Sequence, residues 1–440
     1  MSSNSNSQAA RGEHAASWYV ASMNDRRERA RLDGTVSADV CVIGAGFTGI
    51  SAALHLAEQG HRVVVLEAVR IGFGASGRNG GQIVNSYSRD MDVIEAHYGA
   101  ETARALGNMA FEGNRIIRER VAQYAIDCDL KDGNLFAACN ERQFRALREH
   151  QQLWARYGHD RLELLGPDEY RREIGSNRYR GALLDHSGGH LHPLNLVQGQ
   201  ARALESLGGR IFEHSPMSEL LHGQPAVVRT PGGEVHAERV VIAGNAYLGQ
   251  GPGQHSVPEL LQRSMPCSTQ MIATEPLDEA RARALLPTDR CVEDCNYLLD
   301  YYRLSRERRL IYGGGVSYGG HDPASIEAVI RPKLLETFPE LSDVRIDHAW
   351  SGAFLMTLNR LPQFGRLNDN VYYAQGYSGH GVTCAHLAGR LIGEVIRGES
   401  QRFDAFAGIP HLPFPGGRRF AVPLSALGAW YYALRDRLGI

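Results

Sequence analysis

The chain has 440 residues, with 47 Lys and Arg against 49 Asp and Glu and a formal net charge of −2. That balance leaves no electrostatic case for nucleic acid or an anionic membrane as partner, and the length suffices for two domains with sizeable cores. Seven cysteines, odd in number and scattered, read as reduced thiols of the cytoplasm and not as a disulfide framework.

Met1–Ala16 is rich in Ser, Asn and Ala without an apolar core, so it is expected to fray and to be neither signal peptide nor anchor. No apolar run is long enough to span a bilayer. Asp39–Ile43 is a short apolar run, as a buried parallel strand requires, and Gly44-Ala45-Gly46-Phe47-Thr48-Gly49 follows at once. In such a turn one glycine makes the tight bend, one admits a pyrophosphate, and one packs helix on strand. The amphipathic stretch Ile50–Gln59 ends at Gly60, and the pyrophosphate would meet its positive N-terminus, beside Phe47 and Thr48. His61–Leu66 is the next strand. Glu67, with Ala68 beside it, closes that strand about twenty residues past the glycines, where an acid accepts hydrogen bonds from an adenosine ribose.

NAD and FAD both satisfy this unit, so the choice rests on further glycines. In Gly72–Gln82, Gly74, Ala75, Ser76, Gly80 and Gly81 leave room for a planar ring at the backbone, and Arg78, Asn79 and Gln82 offer polar contacts to a diphosphate or ring edge. Asp90–Glu173 changes character, with charged amphipathic helices expected over Glu101–Tyr124 and Glu141–Tyr157. His186, His190 and His192 lack a carboxylate or cysteine at ligand spacing, so no metal is assigned.

A helix over Leu194–Leu207 and alternating strands lead back to the cofactor side, where Met217 and the end of Val240–Tyr247, at Gly244 and Asn245, are expected beside the ligand. Ser264–Met356 is strand-rich, and Tyr297–Leu304 and Arg309–Gly314 mark it as the expected substrate sheet. Within it Cys291-Val292-Glu293-Asp294-Cys295 has the wrong spacing for zinc and reads as structural. Gly352 is assigned to the cofactor.

The strand Asn370–Ala374 runs into Gly376-Tyr377-Ser378-Gly379-His380-Gly381, and a helix over Val382–Ile396 follows, opening at Val382 and Thr383. Its N-terminus is able to stabilise negative charge on a reduced flavin. Three glycine segments and no second GxGxxG unit for NAD(P)H point to FAD. Leu427, Trp430, Tyr431 and Leu434 share a face of a docked helix expected over Leu424–Leu438. The fold expected is α/β. A Rossmann-like FAD domain (36–89, 190–263 and 357–440) interleaves with a smaller α+β substrate domain (90–189 and 264–356) on an antiparallel or mixed sheet.

These segments resemble the D-amino-acid oxidase and glycine oxidase superfamily of FAD amine oxidoreductases over nearly the whole chain, and within it the γ-glutamylputrescine oxidoreductases. The superfamily likeness rests on the N-terminal unit, Gly188–Pro193, Val241–Tyr247 and Leu361–Gly365. Ser17–Ser22, Ile71–Gln82 and Pro410–Gly417 carry the narrower one. The resemblance implies oxidation of an amine to an imine by hydride transfer to flavin N5. Hydrolysis to an aldehyde and ammonia follows, and oxygen takes the electrons to give hydrogen peroxide. For a γ-glutamylated diamine the reacting group is the primary amine.

A water-poor aromatic site lowers the amine pKa without a strong protein base. Tyr301, Tyr302, Trp350 and Phe354 are expected to wall it, Arg303 to hold a substrate carboxylate, and His380 to face the flavin. Some relatives attach flavin through a cysteine in the stretch matching Gly352–Thr357. None stands there, and Cys384 lies inside the last helix, so noncovalent FAD is expected. Some relatives place a lysine beside N5 in the strand resembling Leu310–Gly313. None stands there either, which leaves molecular oxygen or another electron acceptor open. Two other assignments also stay open: an oxidase or dehydrogenase of a D-amino acid, glycine or an N-methyl amine, and an inactive flavin-holding subunit. Oligomeric state is not fixed.

Overall fold

Buried β-branched residues build the first sheet. The strand Gly34–Ile43 ends in fully enclosed Val40, Cys41 and Val42 and lies between Val63–Leu66 and Gly233–Ile242, parallel to both. Arg210–Phe212 and Val371–Gln375 extend it on either side, again parallel, as a sheet covered on both faces requires. Gln363–Asn368 and the hairpin of Glu219–Leu221 with Ala226–Thr230 add antiparallel edges, making eight strands. Helix Phe47–Glu58 packs against Gly381–Ile396 closely enough that a Cβ on Gly389 would run into Ser51. This computed structural model describes residues 13–250, 257–318 and 322–414, and of the C-terminal stretch only 423, 426, 430, 431 and 435.

The second sheet has nine strands. Ile346–Thr357, Ser264–Thr274, Leu310–Tyr318, Tyr301–Leu304 and Cys291–Asp294 run antiparallel to their neighbours. Cys291–Asp294 then pairs in parallel with Lys131–Ala138, which makes the sheet mixed. Period-two alternation gives its faces different duties. Val292, Tyr302, Tyr312 and Ile272, in register, enter a closed core with Phe338 and Leu334. Glu293, Tyr301, Gly313, Met271 and Trp350 form the matching row on the opposite face.

Three local expectations change. The helix expected over Glu101–Tyr124 is two, Met91–Gly107 and Glu112–Gln123. The first ends where the Tyr87 hydroxyl donates to the Leu106 carbonyl at 2.7 Å and Gly107 abuts the Tyr157 ring. Only Tyr301–Leu304 of the Tyr297–Leu304 run is strand. Fraying does not reach Ala16: Ala15 is buried and its carbonyl accepts from Ser17 N–H at 2.7 Å, while residues 1–12 lie outside the described ones. Most of the expected helix 424–438 lies outside them too. No helix among the described residues is long and apolar enough to cross a membrane.

Candidate active site

The turn after the first strand starts the site. Gly44 leaves the strand at φ +103°, and a Cβ there would fall 2.9 Å from the Ala243 carbonyl oxygen, so the left-handed bend admits only glycine. At Gly46 a Cβ would meet Ser76 Oγ at 2.9 Å, the same oxygen that accepts from Phe47 N–H at 2.8 Å. Gly46 caps helix Phe47–Glu58 without a side chain, so the positive helix end faces a cleft lined also by Thr48. Glu67 accepts from the Ala45 and Val69 amides at 2.7 and 3.0 Å. Burial pushes its carboxyl up to about 7 against those two bonds.

The cleft, about 600 Å³, runs on between the two sheets. Gly74, Ala75, Ser76, Arg78, Asn79, Gly80 and Gln82 line one side, and Gly379, His380, Gly381, Val382 and Thr383 another. Ala68, Met217, Gly244, Asn245 and Gly352 lie along it as well. Arg78 donates from Nε to the Phe73 carbonyl at 2.8 Å, and its guanidinium stands 4.5 Å from the Phe73 ring. Its Nη2 is buried without a partner, and so is His380 Nδ1. Burial holds the His380 imidazole down at about 4, hence neutral at neutral pH. His380 also begins helix Gly381–Ile396 without a side-chain cap.

FAD fits this lining: two uncapped helix ends suit its pyrophosphate and ring carbonyls, Glu67 suits its ribose, and two orphaned buried nitrogens await acceptors. When bound, FAD supplies a two-electron acceptor for hydride. No cysteine lines the cleft among the described residues, and Cys384 packs inside its helix with its thiol pushed up to about 12 by burial.

Three expected cofactor contacts do not reach the cleft. A Cβ on Gly49 would run into the Gly44 carbonyl, so this glycine brings helix and strand together rather than admitting pyrophosphate. Gly81 (φ +79°) and Gly376 (φ +74°) shape turns beneath the lining. Asn79 and Gln82 do line the cleft, yet their amides serve the protein. Asn79 bonds Ala75 and Gly81, and Gln82 donates to the Val292 carbonyl at 2.9 Å.

Of the expected substrate wall, Tyr301 and Phe354 line the cleft. Tyr302 does not. Neighbours on a strand point to opposite faces, and its hydroxyl donates to the Tyr179 hydroxyl at 2.9 Å while its ring stacks on Tyr312 in the closed core. Trp350 shares Tyr301's face but is covered, with Nε1 donating to the Arg78 carbonyl at 3.0 Å and Tyr19 edge-on at 5.3 Å. Arg303 is covered in the same way. Its guanidinium donates to the Gly80 carbonyl at 2.7 Å and to the Tyr19 hydroxyl at 3.2 Å, so it holds the glycine loop and no carboxylate. The histidines are likewise occupied: His192 Nδ1 accepts from Asn195 N–H at the start of helix Pro193–Ser206, and His190 Nε2 lies 2.9 Å from the Asp289 carbonyl oxygen.

Glu293, Thr269 and Arg360 also line the cleft and were not assigned to it from the sequence. Alternation along Cys291–Asp294 was the available signal for Glu293, because it separates that carboxylate from Val292 and Asp294. The others are gathered by folding alone.

A family model described as FAD dependent oxidoreductase matches residues 39–395. Gamma-glutamylputrescine oxidoreductase of Escherichia coli (strain K12) is 60% identical over 97% of this chain and 100% of its own length. A probable oxidoreductase, OrdL, of Haemophilus influenzae is 40% identical over 97% of this chain and 98% of its own. Glycine oxidase from Geobacillus kaustophilus superposes with a TM-score of 0.69 at 22% identity, over 86% of this chain and 100% of that one. The last likeness speaks for the fold alone, and the residues matched by the family model span the cleft lining just described. The chain therefore belongs to the FAD dependent oxidoreductase family.

Proposed function

We propose that the protein oxidises the primary amine of a γ-glutamylated diamine, of the γ-glutamylputrescine kind, to an aldehyde with release of ammonia, passing the electrons to oxygen to give hydrogen peroxide. The observation that carries this assignment is end-to-end likeness, at 60% identity, to an E. coli protein named for that substrate, in a chain with an intact cofactor cradle. Glycine oxidases of Bacillus subtilis, Bacillus licheniformis and Geobacillus kaustophilus match at 23%, 26% and 23% identity, which lends an amino-acid oxidase no comparable support.

The chain's own residues bind and desolvate. Tyr301, Phe354, Leu298 and Met356 give the cleft an apolar, aromatic throat in which an amine is less easily charged. His380, neutral, offers no competing positive charge there. Arg360 replaces Arg303 as the fixed cation for the γ-glutamyl carboxylate, because it lines the cleft and among the described residues forms no ion pair. The same proposal divides the chain into a discontinuous FAD domain (36–89, 190–263, 357–440) and a substrate domain (90–189, 264–356). It also places the enzyme in the cytoplasm, in keeping with seven free cysteines.

Purified enzyme should release peroxide and ammonia fastest with γ-glutamylputrescine among γ-glutamyl diamines, free diamines, glycine and D-amino acids. A preference for glycine or a D-amino acid overturns the substrate assignment. Turnover only with an artificial acceptor overturns the oxidase half of it.

A further inference from the structure

The strand Cys291–Asp294 sorts its two carboxylates by face. Asp294 points into the closed side, where Arg178 meets it at 3.3 Å. Glu293 opens on the cleft, next to Tyr301 in the paired strand. The groups facing it from the surrounding elements are few and mostly engaged. The Cys291 thiol donates to Asn134 Oδ1 at 3.0 Å, Gln82 gives its amide to the Val292 carbonyl, and Cys295 is a half-buried thiol further along the chain. Asn134 Nδ2 lies close enough to favour the ionised carboxylate but makes no hydrogen bond of normal geometry. No Arg, Lys or His among the described residues pairs with Glu293.

A carboxylate enclosed by protein, open only to the ligand cleft and lacking a counter-ion, is costly unless a ligand supplies the missing positive charge. We propose that Glu293 receives the substrate's ammonium group and takes its proton, leaving the neutral amine from whose carbon hydride departs. This inference rests on the proposed primary-amine substrate. The step moves one proton and no electrons: R–CH2–NH3+ and the Glu293 carboxylate become R–CH2–NH2 and the Glu293 carboxylic acid. Burial above all pushes this carboxyl up to about 7, with Asn134 opposing and Asp294 adding repulsion, so it is matched to such a transfer near neutral pH.

Glu293→Gln in the FAD-loaded enzyme tests the assignment. With γ-glutamylputrescine, wild-type kcat/KM should fall as pH drops through about 7. The variant should lose that limb and be about 10²-fold slower above it, and Glu293→Asp should restore part of both. A binding arm needs no turnover. A tertiary-alkyl amine, which has no hydrogen on its amine-bearing carbon, is titrated against the flavin spectrum beside the matching tertiary alcohol. Above the transition the variant should bind the amine about tenfold more weakly and the alcohol unchanged. A retained acid limb, or equal losses for amine and alcohol, overturns the role of Glu293. A wild-type enzyme that ignores γ-glutamylputrescine yet binds the tertiary amine through Glu293 overturns the substrate assignment alone.

Discussion

Two glycines three residues apart illustrate how position decides a side chain's fate. Gly46 has Ser76 Oγ as its nearest obstacle, the flexible end of a side chain, whereas Gly49 has the backbone oxygen of Gly44. Gly49→Ala should therefore destabilise the fold itself, by about 3 kcal/mol or more, because neither backbone yields. Gly46→Val should leave a folded protein that no longer takes up FAD. Thermal unfolding of the two apoproteins, beside flavin absorbance after gel filtration, separates these outcomes. Arg303 and Arg360 make a similar pair. Losing the Arg303 hydrogen bonds to the Gly80 carbonyl and the Tyr19 hydroxyl should lower stability and depress oxidation of every amine alike. Arg360→Gln should cost roughly 1–3 kcal/mol in kcat/KM for γ-glutamylputrescine and almost nothing for putrescine, which has no carboxylate. Steady-state kinetics of both variants on both substrates would check the contrast.

At the scale of elements, strand ends and helix starts do the positioning. Glu67 stands at the end of Val63–Leu66, directly across from the N-terminus of Phe47–Glu58. Its carboxyl is raised from an ordinary 4.5 to about 7, so in the apoprotein it contributes stability at pH below 4.5 that is lost as pH rises through about 7. Ribose hydroxyls donating to the ionised form reverse that loss. FAD should accordingly bind more tightly as pH rises through about 7, and Glu67→Ala should flatten this dependence and weaken binding by roughly tenfold. Turnover at saturating FAD should change little. Fluorescence titration of apoprotein with FAD across this range measures the effect. The short helix Trp18–Ala21 is a second such element: Tyr19 is fully buried and its ring meets both His192 and Trp350 edge-on. Tyr19→Ala should cost about 3–5 kcal/mol, read as a lowered urea midpoint.

Over the whole molecule, the cleft takes its walls from both sheets, so FAD held there would brace one against the other. Adding FAD at a hundred times its Kd should stabilise the native state by about 2.7 kcal/mol. The gain should vanish in Gly46→Val and persist in Glu293→Gln, which calorimetry with and without FAD would establish.

The glycine-lined half of the cleft was readable in the chain because its determinants are local. A glycine turn between a strand and a helix, with an acid closing the next strand, spans residues 39–67, and both helix starts that face the cleft lie at a glycine, Gly46 before one and Gly381 opening the other. The same strand–helix–strand unit pointed to an α/β fold, while the second sheet, expected antiparallel or mixed, is mixed because Cys291–Asp294 pairs in parallel with Lys131–Ala138. Tyr302, Trp350 and Arg303 could not be placed in this way. Their composition suited an amine site, but which face of a strand is open depends on what lies across it. The loop 78–82 covers Trp350 and Arg303, and the core around Tyr179 and Phe338 takes Tyr302. Glu293 and Arg360 line the cleft for the same reason in reverse, since among the described residues no other segment covers those two positions. Sequence by itself determined the glycine turns at the cleft, whose geometry is set by neighbouring residues. Tertiary structure alone decided which side chains of the second sheet reach the cleft, because exposure to a shared cleft belongs to the packing of two sheets and to no single segment.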